Sequence, residues 1–427
     1  MHSSTHDAIS AVWRIESAKI VASVARLVRE IGLAEELAQD ALVSALESWP
    51  GQGVPDNPGA WLMRVAKNRA LDHLRHRKMQ GEKLEQIGHA LEAQEALVVP
   101  DFVDALDAAR QDEIGDDLLR LIFTACHPVL STEARLALTL KLLGGLTTHE
   151  IARAFLVPEP TMAQRIVRAK RTLAEARVPF EVPRGDELGA RLASVLEVVY
   201  LLFNEGYTAT AGDHWMRPAL TDEALRLGRM LAGLAAEESE VQGLLSLMEL
   251  QASRMAARVD AAGRPILLAD QNRARWDHLL VRRGLTALDM ALALAESSAR
   301  ALGPYALQAA IAACHARAPT SAETDWVRIA ALYDALAHTA PSPVVELNRA
   351  VAVSMAFGPA AGLAIIDVLR GDKALQNYQW LPSVRGDLLA RLGRNDEARH
   401  EFERAAALAG NLRERELLLD RAQGLLP

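Results

Sequence analysis

Residues 142–173 read LLGGLTTHEIARAFLVPEPTMAQRIVRAKRTL, and this stretch predicts a helix-turn-helix. Thr147 and Glu150 have the spacing of a capping box, so a first helix should begin there. Its buried side should be formed by Ile151, Ala152 and Phe155. Val157–Pro160 predicts a turn, because proline is excluded from a helix interior but tolerated in the first turn. A second helix should then run from about Thr161.

The second helix has two faces of opposite character. An inward stripe at helical spacing consists of Met162, Ile166, Ala169 and Leu173. The opposite face carries Thr161, Gln164, Arg165, Arg168 and Arg171. A helix fits the major groove of DNA, where arginine reads guanine edges and glutamine reads adenine. The alternative is a basic helix that is only solvated, but the cap, the turn and both faces together favour contact with DNA.

The composition predicts an all-α protein of two or three domains. A chain of 427 residues is too long for one ordinary core. Hydrophobic residues make up 50% of it, mostly alanine and leucine, while aromatic residues make up 4%. Good helix formers are therefore abundant and β-branched alternation is scarce. The amino terminus lacks the apolar core of a signal peptide, and no stretch reaches the ~20 apolar residues that a membrane span needs, so we expect a soluble, cytoplasmic protein without membrane contact.

The two cysteines, Cys126 and Cys314, are far apart and predict neither a disulfide framework nor a metal site. The run Cys126–His127–Pro128 could suggest a metal ligand or a nucleophile, but a small buried thiol at a helix end is the favoured interpretation. A glycine-rich phosphate loop, a metal-ligand cluster and a nucleophile motif are all missing. We therefore expect no cofactor, no metal and no enzymatic activity.

The charge is distributed unevenly along the chain. The net charge of the whole is −8, yet residues 61–78 carry +5 and residues 160–177 carry +4, which leaves −17 for the remainder. Local patches rather than the total charge steer a protein to phosphate. Two basic islands on an acidic body therefore predict nucleic-acid binding at two places, with the acidic remainder suppressing indiscriminate binding.

The distribution of charge and composition divides the chain into four segments. A first helical unit covers 7–78, an acidic linker covers 79–117, a second unit covers 118–177, and alanine-rich helices fill 186–427. The linker contains eleven acidic residues and two basic ones, which is typical of a tether rather than a core element, although the part near Glu82–Leu97 could still be helical. Pro179 and Pro183 mark the break before the last segment.

The last segment has the character of a repeat. The positions that match a tetratricopeptide (TPR) helix pair, with Gly393 in its turn, are Gly386, Leu389, Ala398, Phe402 and Ala405. The stretches 325–342 and 344–369 resemble degenerate pairs of the same kind, although any alanine-rich hairpin matches loosely. A helical solenoid would expose a broad binding surface. Further upstream, LEVVYLLFNEGY predicts a helix that stops at Gly206; Asn204 and Glu205 are weak ligand candidates there.

The first unit begins with an amphipathic helix at 34–49. Its outer stripe consists of Glu36, Gln39, Asp40, Val43 and Glu47, and on its own such a stripe is usually only solvated. A loop is expected at Pro50–Asn57. Asn57 can cap a following helix, and Pro58 suits the first helical position.

The helix that follows reads PGAWLMRVAKNRALDHLRHRK and is strongly basic on one face. That face carries Arg64, Lys67, Asn68, Arg75 and Lys78. A basic helix preceded by a loop suits nucleic acid whose bases are pulled out of the stack. Trp61 could stack on such a base, but packing in the core is the favoured role.

The order of these motifs resembles bacterial RNA polymerase sigma factors of the extracytoplasmic-function (ECF) type. The resemblance covers residues 7–177: an AEELAQDALVSALESW helix, the basic helix after it, a linker, and a helix-turn-helix ending in PTMAQRIVRAKRTL. The tail, with FTACHPVL and LLFNEGY, is similar to a subgroup that carries a C-terminal TPR-like extension.

The resemblance implies partners and roles. The outer stripe of the helix at 34–49 would dock on the β′ clamp helices of core RNA polymerase. The β flap of the polymerase would be a further contact. The loop near Gly53–Asn57 would capture a flipped base of the −10 element. Residues placed along −10 DNA would be Asn57, Arg64, Lys67, Asn68 and Arg75. Residues placed on the −35 duplex would be Thr161, Gln164, Arg165, Arg168 and Arg171. The acidic linker would mimic RNA in the exit channel.

The chain departs from the family's usual pattern in two ways. Ala41–Leu42 follow the Gln39–Asp40 pair, where a bulky aromatic residue is more common. The long tail also differs from the short majority; it resembles a built-in regulator that replaces a separate membrane anti-sigma protein, and its own partner, a protein or a ligand, is unidentified.

Three other functions compete with this one. A stand-alone DNA-binding regulator with a sensing solenoid explains the helix-turn-helix but not the first unit. An enzyme and a scaffold protein explain less. Co-purification distinguishes the main two, because a sigma factor holds core polymerase whereas a regulator binds duplex DNA alone.

Overall fold

The computed structural model describes residues 2–85, 117–209, 215–260 and 263–425. Across these ranges the chain is helical apart from its loops, and Val259 and Pro265 form an isolated antiparallel β-bridge. The all-α prediction is confirmed. The chain divides into two compact units, Met1–Val198 and Val199–Pro427. Most of the acidic linker lies outside the described residues.

The first unit begins with three helices that pack against one another. They are α1 (His2–Val28), α2 (Ile31–Gln52) and α3 (Pro58–Glu85). Alanine and branched residues form their shared core, with Ile20, Ala41 and Leu62 fully buried. Arg29 has a positive φ of 56°, and α1 ends at the residue before it. The Glu30 carboxylate then caps α2 by accepting hydrogen bonds from the backbone N–H groups of Gly32 (2.9 Å) and Leu33 (3.1 Å).

The first unit continues with shorter helices. They are α4 (117–125), α5 (Thr132–Leu142), α6 (Thr148–Ala154) and α7 (Glu159–Glu175), and the unit ends within α8 (Asp186–Tyr207). The break expected between 178 and 185 separates α7 from α8. Phe123 and Leu138 are buried in the core of this part. Ion pairs then join it to the first three helices.

The second unit is a succession of helices, each packed on the next. They are α9 (Pro218–Leu234), α10 (Ser239–Ala252), α11 (His278–Ser297), α12 (Pro304–Arg317), α13 (Trp326–Thr339), α14 (Pro343–Phe357), α15 (Pro359–Leu369), α16 (Trp380–Arg391), α17 (Asn395–Leu408) and α18 (Leu412–Gln423). Alanine and leucine supply its core clusters. The small side chains let neighbouring helices approach closely.

The last helix hairpin forms where the sequence predicted it. Gly393 has a positive φ of 74° in the turn between α16 and α17. A Cβ atom on Gly386 would lie 3.0 Å from the Phe402 ring, so the absence of a side chain there lets the two helices touch. Leu389, Ala398 and Ala405 are fully buried around this contact. The stretch 325–342 differs from the prediction, since it holds the single helix α13 rather than a pair.

Two predicted helix ends were wrong. Helix α2 continues through Pro50 to Gln52, so the loop is shorter than expected. Pro50 is tolerated because it lies in the last turn, which the hydrogen bond from Gly53 N–H to the Trp49 carbonyl (2.9 Å) closes. Gly206 lies inside α8 rather than stopping it; a Cβ atom there would be 2.4 Å from the backbone nitrogen of Thr221, so Gly206 serves close helix approach instead.

Candidate nucleic-acid interface

The helix-turn-helix is built by local hydrogen bonds. The Thr147 hydroxyl accepts a hydrogen bond from Glu150 N–H (3.1 Å), and the Glu150 carboxylate accepts one from Thr147 N–H (2.8 Å), which completes the predicted capping box. The turn closes with Val157 N–H donating to the Ala152 carbonyl (3.0 Å). Helix α7 begins at Glu159, two residues earlier than predicted, because Pro160 falls in its first turn.

The inward stripe of α7 is confirmed. Met162, Ile166, Ala169 and Leu173 are all buried, with 0 to 5% of their surface exposed. In the first helix, Ile151 and Ala152 are buried and Phe155 is half-buried. Because these residues anchor α7 on α5 and α6, the opposite side of α7 is rigidly presented to solvent.

The predicted −35 residues share that opposite side. Thr161, Gln164, Arg168 and Arg171 are exposed and Arg165 is half-buried. Arg171 differs from the others, since its guanidinium is paired with Glu175 at 2.6 Å. Arg168 has no hydrogen bond or ion pair with any described residue. The pKa of Glu133 is lowered mainly by a hydrogen bond to its own backbone and by one to the Ser131 side chain. The positive charge of Arg165 lowers it further. The face therefore offers free arginine donors beside polar side chains.

A second basic surface lies on α3 and the loop before it. The Asn57 side chain caps α3 by accepting a hydrogen bond from Ala60 N–H (3.0 Å), as predicted. Gly53, with a φ of 86°, ends α2, and most of the loop to Asn57 is exposed. On α3, Arg64, Asn68 and Arg75 are exposed and Lys67 is half-buried. Arg75 pairs with Asp72 at 3.1 Å.

Trp61 has a packing role in this surface. It is half-buried, and its ring meets that of Trp49 edge-to-face with 5.4 Å between centroids. Trp49 itself is 2% exposed. The contact holds the start of α3 against the end of α2 and so sets the position of the loop between them.

The outer stripe of α2 is exposed along its whole length. Glu36, Gln39, Asp40, Val43 and Glu47 all face solvent, and Val43 is 49% exposed although it is apolar. Two of these residues have intramolecular partners that the sequence did not reveal. Asp40 pairs with Arg69 at 3.0 Å, and the Gln39 amide donates to Glu35 at 2.7 Å. Glu36 and Glu47 have no ion pair with any residue in the described ranges.

Glu35 is a residue that sequence reasoning missed. It is 4% exposed and lies between α2, α5 and α7, where it pairs with Lys170 and, at 3.8 Å, with Lys141. Arg14 and Glu150 make a further ion pair at 2.5 Å. Contacts over more than a hundred residues leave no local signal, because each partner looks like an ordinary surface charge in its own helix.

Neither cysteine is arranged for chemistry. Cys126 is buried beside Thr139, and burial raises the pKa of its thiol to about 11. Cys314 is buried as well. Within the described ranges, no group of three or more His, Cys, Asp or Glu side chains could hold a metal ion. No helix in the described part of the chain is long and apolar enough to cross a bilayer.

Comparison with known proteins matches three parts of the chain to protein families. Residues 16–79 match sigma-70 region 2, and residues 120–173 match sigma-70 region 4. Residues 191–292 match a family of unknown function, DUF6596. The first two matches contain α2, α3 and the helix-turn-helix, so the fold and its basic surfaces define a sigma factor, a class of non-enzymatic DNA-binding proteins that direct transcription initiation.

Two relatives extend this result. The uncharacterized protein R00370 of Rhizobium meliloti (strain 1021) is 44% identical over 390 residues, covering 91% of this chain and 89% of the relative. The probable ECF RNA polymerase sigma factor SigI of Mycobacterium tuberculosis (strain ATCC 25618 / H37Rv) is 28% identical over 179 residues, covering 42% of this chain and 59% of that protein. The chain belongs to the family of the Rhizobium protein, and its two sigma-70 regions bind core RNA polymerase and promoter DNA.

Proposed function

We propose that the chain is an ECF-type sigma factor whose α2 docks on core RNA polymerase while α3 and α7 contact two elements of one promoter. The division of α7 into a buried stripe and an outward arginine face carries this proposal. Burial of Met162 and Ile166 prevents the helix from rotating, so Gln164 and Arg168 keep facing outward. Seated in the major groove, that face reads the −35 duplex through Thr161, Gln164, Arg165, Arg168 and Arg171.

We assign contact with the −10 element to the second basic surface. Arg64 and Asn68 are exposed on α3, one turn apart, and the loop from Gly53 to Asn57 lies at its beginning. We place Lys67, Arg75 and Asn57 on the same strand of DNA. Unstacking a base costs a few kcal/mol, which contacts in the loop offset. The Trp49–Trp61 contact supports capture because it holds the loop in place before DNA arrives.

The acidic stripe of α2 provides the contact with polymerase. Glu36 and Glu47 are solvent-exposed and unpaired among the described residues, while Val43 adds an exposed apolar side chain between them. The two carboxylates would attract a basic surface on the partner. The same partner surface would bury the apolar side chain between them. We assign the stripe to the β′ clamp helices and leave the β flap to region 4.

The domain assignment follows the same scheme. Residues 7–78 form the −10 and docking domain, 79–117 the acidic linker, and 118–177 the −35 domain. Residues 186–427 form a TPR-like domain that modulates activity. Support for the last domain is the α16–α17 hairpin, in which Gly386 faces Phe402 as a repeat of closely packed helix pairs requires.

Transcription in vitro with purified core polymerase tests the proposal. The full chain should direct core polymerase to promoters that core alone does not open. The variant E36K/E47K should bind core polymerase about tenfold more weakly, because it replaces attraction by repulsion at the docking surface. The matched control E296K/E403K makes the same charge change at exposed positions of the second unit and should bind normally.

Two results would overturn this proposal. Equal binding of core polymerase by E36K/E47K and the wild type would remove the docking role of α2. A chain that binds duplex DNA but never co-purifies with core polymerase would instead be a stand-alone regulator.

A further inference from the structure

The second unit concentrates the chain's tyrosines. All five tyrosines of the 427 residues lie there, and each is half-buried. They are Tyr200, Tyr207, Tyr305, Tyr333 and Tyr378. A tyrosine on a protein surface is ordinary, but in a chain with only 4% aromatic residues five half-buried rings in one unit are a marked concentration of side chains that combine an apolar ring with a polar hydroxyl.

Three arginines lie over aromatic rings of this unit, and two of them donate hydrogen bonds to the backbone. Arg258, 5% exposed, donates to the Tyr207 carbonyl and to the Thr208 hydroxyl (2.8 Å), and its guanidinium stacks 3.4 Å from the Tyr207 ring centroid. Arg273 donates to the carbonyls of His315 and Ala318. Both guanidinium groups therefore hold backbone segments together.

Arg254 is the exception. Its guanidinium carbon lies 5.9 Å from the ring centroids of both Tyr207 and Trp276, and it makes no hydrogen bond or ion pair with any described residue. Glu414, which lies in the field of Arg258, accepts from Trp215 (3.3 Å) and from Gln379. A half-buried arginine with five free donors and aromatic walls lacks its counter-ion.

Other donors around Arg254 are also unused. The indole N–H of Trp276 has no hydrogen-bond partner among the described residues, although Trp276 is only 4% exposed. The Tyr333 hydroxyl has none within the described part of the chain either; burial raises its pKa to about 12, so it remains a donor. His315 lies in the field of Arg254 and Arg273, and burial together with these charges lowers its pKa to about 4, so it stays neutral.

We propose that this Arg254 cluster (Arg254, Tyr207, Trp276, His315 and Tyr333) binds a small organic anion, a carboxylate or phosphate carried on a flat apolar body. The anionic oxygens accept from Arg254, Trp276 and Tyr333, which supplies the missing counter-ion and satisfies the buried indole N–H. The body packs against the half-buried edges of Tyr207 and Tyr333, since Phe203 already stacks on the Tyr207 ring and Arg258 lies over it. A neutral ligand would leave the charge of Arg254 uncompensated, so the site should discriminate by charge.

Binding of simple probes to the full chain tests this directly. Benzoate and phenyl phosphate supply the two anionic groups, and benzamide is the neutral isostere. We expect saturable binding of at least one anion with a Kd of about 1 mM, as small fragments typically show. The indole N–H resonance of Trp276, assigned with W276F, should shift on binding. Benzamide should bind at least tenfold more weakly.

Variants locate the site. R254M keeps an unbranched, flexible stem without the charged guanidinium and should weaken anion binding at least tenfold. R282M makes the same change at an exposed position of α11 and should bind as the wild type does. Y333F removes one hydroxyl without altering the packing and should weaken binding a few-fold.

Three results would overturn the proposal. They are equal binding of benzamide and the anions, an unmoved Trp276 resonance at saturating anion, and unchanged anion affinity in R254M. The first two need only the wild-type chain and W276F, so the proposal stays testable even if R254M does not fold. None of these measurements involves transcription, so their outcome is independent of the sigma-factor proposal.

Discussion

The arginines of α7 and those inside the second unit sit in opposite environments. Arg168 projects into water from a helix whose other face is buried, whereas Arg258 is enclosed between the rings of Tyr207 and Trp215. An exposed arginine can be given to a large polyanion such as duplex DNA, because nothing in the protein competes for its donors. An enclosed arginine either stabilises the fold through its own hydrogen bonds or is available only to a ligand small enough to reach it. In the proposed functions, the exposed face of α7 reads DNA and the Arg254 cluster binds a small anion.

The largest expected effect tests the α7 surface. Replacing Arg165 and Arg168 with alanine should reduce transcription from a promoter with a −35 element about 100-fold, since each base contact contributes roughly 1–3 kcal/mol. The control R282A/R283A removes two exposed arginines from α11 and should leave transcription within about twofold. In vitro transcription with matched protein concentrations measures both. A similar loss in the two variants would mean that total charge, not the α7 face, is responsible.

The close packing of the second unit can be tested on one helix. Gly206→Ala should destabilise the chain by about 1–3 kcal/mol, because its Cβ atom would lie 2.4 Å from the Thr221 backbone nitrogen. Gly189→Ala, in the same helix but with no atom within 4 Å of the added Cβ, should stabilise it by up to about 1 kcal/mol. Thermal unfolding of both variants measures the difference. Equal effects would show that Gly206 is not a contact point.

The stability of the fold at low pH should depend on the half-buried His315 and not on an exposed histidine. The folded pKa of His315 is about 4, below the 6.5 of an unperturbed histidine, so the unfolded chain binds the proton first. The stability that His315 contributes is therefore lost as pH falls from about 6.5 to about 4, by about 3 kcal/mol. His315→Gln should reduce the drop in Tm between pH 7 and pH 5, whereas His278→Gln, an exposed histidine on α11, should not. An unchanged drop in His315→Gln would place the acid-sensitive group elsewhere.

The smallest expected effect concerns Arg171. Its guanidinium is already paired with Glu175, and such an exposed pair contributes little, because solvent screens it. Arg171→Ala should therefore lower transcription by only about twofold to threefold, well below the loss in the Arg165 and Arg168 variant. A loss as large as in that double variant would show that DNA displaces Glu175 and uses Arg171 fully.

Local patterns predicted much of the first unit. The capping box at Thr147, the cap at Asn57 and the buried stripe from Met162 to Leu173 depend on residues three or four apart, whose relation a helix fixes in advance. The end of α2 was missed because a proline in a last turn costs little. The role of Gly206 was missed because a glycine that stops a helix and one that admits a neighbouring helix look alike in sequence.

The amino-acid sequence by itself determined that the chain is helical, that two basic helices lie apart in an acidic protein, and which side of α7 faces outward. These properties follow from helical periodicity and from the cost of burying charge. Only the tertiary structure decided that Glu35 joins α2 to Lys141 and Lys170, and that Arg254 is left among aromatic rings without a counter-ion. Such contacts connect residues with no regular spacing, so they exist only once the helices have packed.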